Sequence, residues 1–220
     1  MKKSVFFFLL VLAVLFSVWT ALASTAVRAG EKDPTLIPRD VLFGNPERGS
    51  PLISPDGRRL AYLAPSKEGV MNVWVRNPDQ EQAVQITGEA RRGIRTFFWA
   101  PGGQGVLYLQ DAEGDENFHV FMADTGSKLT RDLTPFKGVR AVNLILRSSD
   151  ILVGLNIRNR SLFDMYAIDL RTGAVRLETE NPGDVIYLVG NEWLADSAGV
   201  IRAVRAMDFA NGSTVLKIRE

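Results

Sequence analysis

Two kinds of hydrophobic pattern divide the chain. From Val5 to Leu22 apolar residues run on almost unbroken, interrupted by Ser17 and Thr20. Beyond Gly30 they come instead in short alternating stretches, separated by turns rich in glycine, proline and aspartate. Such alternation marks half-buried strands, and helical periodicity is missing from this part of the chain. In the stretch from Ile53 to Leu63, Pro55 presets φ for a turn, Asp56-Gly57 tolerates positive φ, and Leu60-Ala61-Tyr62-Leu63 reads as the strand that follows.

The same arrangement returns 46 residues later, with Pro55 matched by Pro101, Gly57 by Gly103, Leu60 by Val106 and Tyr62 by Tyr108. A third copy opens at Ser148-Ser149-Asp150-Ile151, about 45 residues further on, and a weaker fourth runs from Trp193 to Ala203. Each of the first three copies has a second strand: Asn72 to Arg76, His119 to Ala123 and Asp164 to Ile168. Polar turns such as Asp124-Thr125-Gly126 then lead to a short outer strand near Gln85-Ile86-Thr87, Leu133-Thr134 or Arg176-Leu177. Strand–turn–strand units at this spacing are those of four-stranded propeller blades. A β-sandwich also has short strands, but gives Pro-x-Gly no reason to recur at a fixed interval. The expected fold class is all-β: a partial β-propeller of about three to four four-stranded blades, after an N-terminal signal helix. The alternating strand from Val215 to Glu220 is followed by no closing segment, so the ring is expected to be incomplete.

The apolar N-terminal run adds an address. Met1-Lys2-Lys3 is a short basic leader to it, and Ala21-Leu22-Ala23 and Val27-Arg28-Ala29 offer small residues at cleavage-competent spacing. The expected organisation is a signal peptide over residues 1–29, cleaved after Ala23 or Ala29, a leading segment over 30–50 and the incomplete propeller over 51–220. An uncleaved signal anchor is the competing reading. Either way the remainder is expected to be exported, to the periplasm or the exterior.

Composition narrows the chemistry. Removing the first 29 residues, which hold Lys2, Lys3 and Arg28 and no acid, takes the formal net charge from +1 to −2. That balance gives no reason to invoke nucleic acid, or a membrane beyond the signal segment. Cysteine is absent, which excludes disulfides, thiolate metal sites and a cysteine nucleophile.

Several stretches resemble the N-terminal propeller of bacterial family S9 serine peptidases, the prolyl oligopeptidase and acylaminoacyl peptidase group. They are Leu36 to Arg48, Ile53 to Leu63, Gly114-Asp115-Glu116-Asn117-Phe118-His119, Arg131 to Phe136 and Asp169 to Gly173. The Ser-Pro-Asp-Gly turn is shared with TolB-like propellers and discriminates little. The resemblance implies a propeller joined to a C-terminal α/β-hydrolase domain with a Ser-Asp-His triad, gating and contacting peptide substrates. A stand-alone exported TolB-like propeller that binds a protein partner is the alternative.

The triad itself finds no residues here. A hydrolase of this kind needs Gly-x-Ser-x-Gly, and no such pentapeptide occurs; Ser50, Ser127 and Ser213 lie in turn-forming sequence. His119, the single histidine, precedes any candidate elbow and reads as a strand side chain packed between blades. No catalytic residue, metal or cofactor is therefore expected in this chain. The acidic loop of Asp111, Glu113, Asp115 and Glu116 lacks the spacing of a calcium loop and reads first as a solvated turn; Arg91-Arg92-Gly93-Ile94-Arg95 reads first as a solvated strand entry, with pairing to that loop or anion binding as the further readings. The resemblance adds a second reading. Related peptidases that trim N-termini hold the substrate's amine with propeller acids, which makes Asp115 and Glu116 the candidate substrate-binding residues, although Glu116 is equally suited to anchoring the strand between blades.

Overall fold

The computed structural model describes residues 36–183, 185, 193–208 and 210–219. The expected signal peptide and its cleavage points, Ala23 and Ala29, lie outside the described residues. The chain divides into two compact units, Met1–Gly44 and Asn45–Glu220. In the first, the described residues include one helix, α1 (Arg39–Phe43). At five residues it is too short to leave a helical period in the sequence.

The second unit is built of four antiparallel meanders. The first sheet contains β1 (Gly49–Ile53), β2 (Leu60–Pro65), β3 (Met71–Arg76) and β4 (Val84–Gln85). The second contains β5 (Phe97–Trp99), β6 (Gly105–Gln110), β7 (His119–Asp124) and β8 (Thr130–Asp132). In the third are β9 (Ala141–Leu146), β10 (Asp150–Asn159), β11 (Leu162–Asp169) and β12 (Val175–Thr179). The described strands of the fourth are β13 (Trp193–Ala195), β14 (Ile201–Asp208) and β15 (Ser213–Ile218). Strands pair in sequence order within each sheet, which is the blade pattern the repeat predicts.

The alternation along each central strand decides how the sheets stack. On β6, Val106 and Tyr108 face the first sheet, where they meet Ala61, Leu63, Val73 and Val75. Leu107, between them, faces the third sheet with Val120 and meets Ile151, Val153 and Leu155. On β10 the intervening Leu152 joins Met165 against Trp193, Ile201 and Val204 of the fourth sheet. Both faces of β6 and β10 are thus buried, which explains why Gly105–Tyr108 and Ile151–Asn156 read as continuous burial. Among the described residues no core cluster joins the fourth sheet to the first. The first strands of three sheets share one cleft, lined by Leu52 and Ile53 of β1, Phe98 and Trp99 of β5 and Leu146 of β9, together with Ser197 of the turn between β13 and β14.

Strand β1 opens at Gly49, and one local expectation is corrected there. Ser50 lies in that strand, where the β1–β2 register shifts and its φ is +50°, so the Gly-Ser-Pro sequence forms an irregular strand instead of a turn. Trp74 stays on the face of β3 turned away from the second sheet, and its indole N–H donates to Ala64 O at 3.0 Å. Phe97, Trp99, Tyr108 and Phe121 pack between the first and second sheets.

Candidate functional site

The acidic loop connects β6 to β7, and its backbone is set by one buried carboxylate. Asp111, with a fully buried side chain, accepts the Glu116 N–H at 3.2 Å through Oδ2 and faces Arg92 Nε at 3.1 Å through Oδ1. A buried charge is tolerable when a cation and a backbone donor share it. Three loop residues adopt positive φ: Glu113 (+56°), Gly114 (+94°) and Glu116 (+59°). Gly114 also leaves room for the Arg92 guanidinium, since a Cβ there would lie 2.5 Å from Nη1 and the arginine end would have to shift. The exposed Arg91–Glu113 ion pair completes the docking of the basic patch on this loop. Exposed as it is, that pair contributes little to stability.

The two candidate substrate residues fall at the far end of the loop, and both are exposed. The Asp115 carboxylate accepts the backbone N–H and the side-chain amide of Asn117, both at 3.0 Å. Those bonds, the side-chain one foremost, hold its carboxyl below the usual carboxylate range. Glu116 does not take the strand-anchoring role. Glu89 and Asp111 hold this seam instead: Glu89 accepts the buried Tyr108 hydroxyl at 2.9 Å, while Gln110 donates to Arg92 O at 2.5 Å. Burial, with the Glu89 charge beside it, raises the Tyr108 pKa, so this phenol stays protonated and donates.

Asp115, Glu116 and Asn117 form one wall of a polar cleft of about 450 Å³, and Arg140, Asn156 and Arg160 contribute to its lining from the third blade's side. Asn156 is almost fully buried and organises that side. Its Oδ1 accepts the Arg140 N–H at 2.7 Å, and its amide donates to Arg160 O at 3.0 Å. The Arg140 guanidinium lies 5.8 Å from the centre of the Phe118 ring. Arg160 donates to Gly138 O at 2.6 Å and to Lys137 O at 3.3 Å. The cationic side was not legible in the sequence, since nothing near Arg140 or Arg160 forms a motif.

His119 lies on the β7 face that it shares with Phe121 and Ala123, the face turned towards the first sheet. Its Nδ1 is 2.7 Å from Asp132 Oδ2 on β8, and its ring stacks at 6.3 Å on Phe121. The three serines weighed as nucleophiles are dispersed: Ser50 in β1, Ser127 in the turn after β7, where its hydroxyl donates to Asp124 at 2.9 Å, and Ser213 at the start of β15. The loop acids Asp111, Glu113 and Asp115 are likewise divided among separate partners, Arg92, Arg91 and Asn117. Among the described residues no group of three or more His, Cys, Asp or Glu is placed to hold a metal ion.

No model of a known protein family matches the chain. Over 183 residues it is 38% identical to dipeptidyl aminopeptidase BIII of Pseudoxanthomonas mexicana, in an alignment that takes in 80% of this chain and 26% of that protein. The chain spans about a quarter of the length of the curated relatives it matches. Among solved structures, a prolyl endopeptidase superposes with a TM-score of 0.57 at 12% identity, over 78% of this chain and 26% of that one. The β-propeller domain of the Trilobed protease from Pyrococcus furiosus gives 0.54 at 18% identity, over 79% and 54% of the two chains. These structural likenesses establish the fold alone.

Proposed function

Starting from a chain that is homologous to the propeller region of family S9 serine peptidases, we propose that it is the substrate-gating and substrate-contacting part of an exported peptidase. In this reading an α/β-hydrolase domain performs the hydrolysis. The propeller limits access to short peptides and holds their N-terminal ammonium on Asp115 and Glu116. The observation that carries the contact role is the disposition of those two acids, exposed at the rim of a polar cleft, with Asp115 held in its charged form by Asn117. A carboxylate is the natural partner for an ammonium, and the attraction strengthens as water is excluded. Export rests on the basic and apolar N-terminal segment.

The contact is tested by calorimetric titration of the chain with a peptide whose amine is free and with its N-acetyl form. The free amine is expected to bind about tenfold more tightly, the worth of one charge-assisted hydrogen bond. The Asp115→Asn, Glu116→Gln double variant is expected to erase that difference; equal binding of both peptides by the unaltered chain refutes the role. The isolated chain is expected to hydrolyse neither peptide. Fractionation of cells producing the tagged chain tests export, and recovery in the cytoplasm alone rejects it.

A further inference from the structure

We propose that the cleft between the β6–β7 and β10–β11 connections takes a short peptide as a zwitterion, its ammonium on Asp115 and Glu116 and its carboxylate on Arg160, with Arg140 alongside. The inference rests on the amine-binding role given to the two acids and adds the opposite end of the ligand. Its first support is that Asp115, Glu116 and Arg160 are not consumed by one another. Among the described residues, Asp115, Glu116 and Arg160 make no ion pair, whereas the neighbouring acids Asp111 and Glu113 are matched to Arg92 and Arg91.

Arg160 bonds only to carbonyl oxygens in its described contacts, so its position is fixed while its full positive charge is retained. The second support is that the cationic side is built. Asn156, 7% exposed, ties the Arg140 backbone to the Arg160 backbone through the two ends of its amide. A cleft of about 450 Å³ falls within the roughly 300–1,000 Å³ of small-ligand sites. Opposite charges around so small a volume match a ligand whose two ends are oppositely charged and close together. A peptide of two or three residues with both termini free has that form. Any peptide released with both ends free would then compete with substrate for the same acids.

The test is titration of the chain at low ionic strength with Ala-Ala, N-acetyl-Ala-Ala and Ala-Ala amide, repeated for Arg160→Met and Arg160→Lys. Ala-Ala is expected to bind at least about tenfold more tightly than either blocked form. Arg160→Met is expected to lose the preference for the acid over the amide, and Arg160→Lys to keep it. If the amide binds as well as the acid while acetylation abolishes binding, the zwitterion proposal fails and the amine reading survives. If acetylation has no effect, both fail. Absence of binding by all three probes at millimolar concentration also overturns both. Should Arg160→Met not fold, the acid–amide comparison on the unaltered chain decides the question.

Discussion

Asp124, Asp169 and Asp196 close turns by accepting backbone N–H groups two to four residues ahead: Gly126 and Ser127, Thr172, and Ala198 and Val200. These bonds favour the charged form and lower each carboxyl's pKa, the backbone bonds leading in every case. A folded pKa below the unfolded one makes the contribution complete at neutral pH and removes it as pH falls through the folded value. Asp169→Ala is therefore expected to lower the melting temperature at pH 7, with the gap from the parent narrowing towards pH 3; thermal melts across that range check it. A gap unchanged by pH would show that the carboxylate charge is not what closes the turn. Two glycines separate strain from crowding. A Cβ added at Gly69 (φ +80°) would meet open space, while one added at Gly114 (φ +94°) would lie 2.5 Å from Arg92. Gly69→Ala is expected to cost about 1–2 kcal/mol through φ alone, and Gly114→Ala measurably more in urea unfolding.

Each element is held to the next sheet by apolar faces and, at the turns, by arginine. Arg59 leaves the first-sheet turn, donates to Thr125 Oγ1 at 3.0 Å and to Gly103 O, and lies 5.1 Å from the Trp99 ring centre. Its receptor Gly103 is the glycine that repeats Gly57, so the recurring Pro-x-Gly turn also provides a seat for a side chain from the preceding blade. Arg59→Ala is expected to destabilise by about 1–3 kcal/mol, from lost charge-assisted bonds and the cation–π contact. Leu107→Ala removes a fully buried side chain between the second and third sheets and is expected to cost about 2–5 kcal/mol. Chemical denaturation measures both; a larger loss for Arg59 than for Leu107 would place the turn contact above core packing. Strand β15 behaves differently, since all six of its residues are exposed despite their sequence alternation.

At the scale of the whole propeller segment, stability passes from sheet to sheet, because every core cluster is shared by two neighbouring blades. Leu216 and Ile218 on β15 bury nothing comparable, being 56% and 74% exposed. Leu216→Lys with Ile218→Lys is therefore expected to leave the melting temperature of the chain nearly unchanged, whereas a fall comparable to that of Leu107→Ala would show that these side chains are buried in solution. Much of this organisation is local information. Pro55, Gly57, Pro101 and Gly103 set turn geometry within a few residues, and the alternation at 60–63 and 106–109 sets which side chains can be buried; the sequence alone therefore determined strands and blade period. Short inner strands such as β1 and β5 were harder to read, because Ser50 bends one and three residues make up the other. The site was only half legible. Asp115 and Glu116 stood out as neighbours in sequence, whereas Asn156 and Arg160 reach the same cleft from the next blade, some 40 residues on. Tertiary structure alone decided that meeting, since it depends on how one sheet is rotated against the next and on a buried amide bond no local pattern encodes.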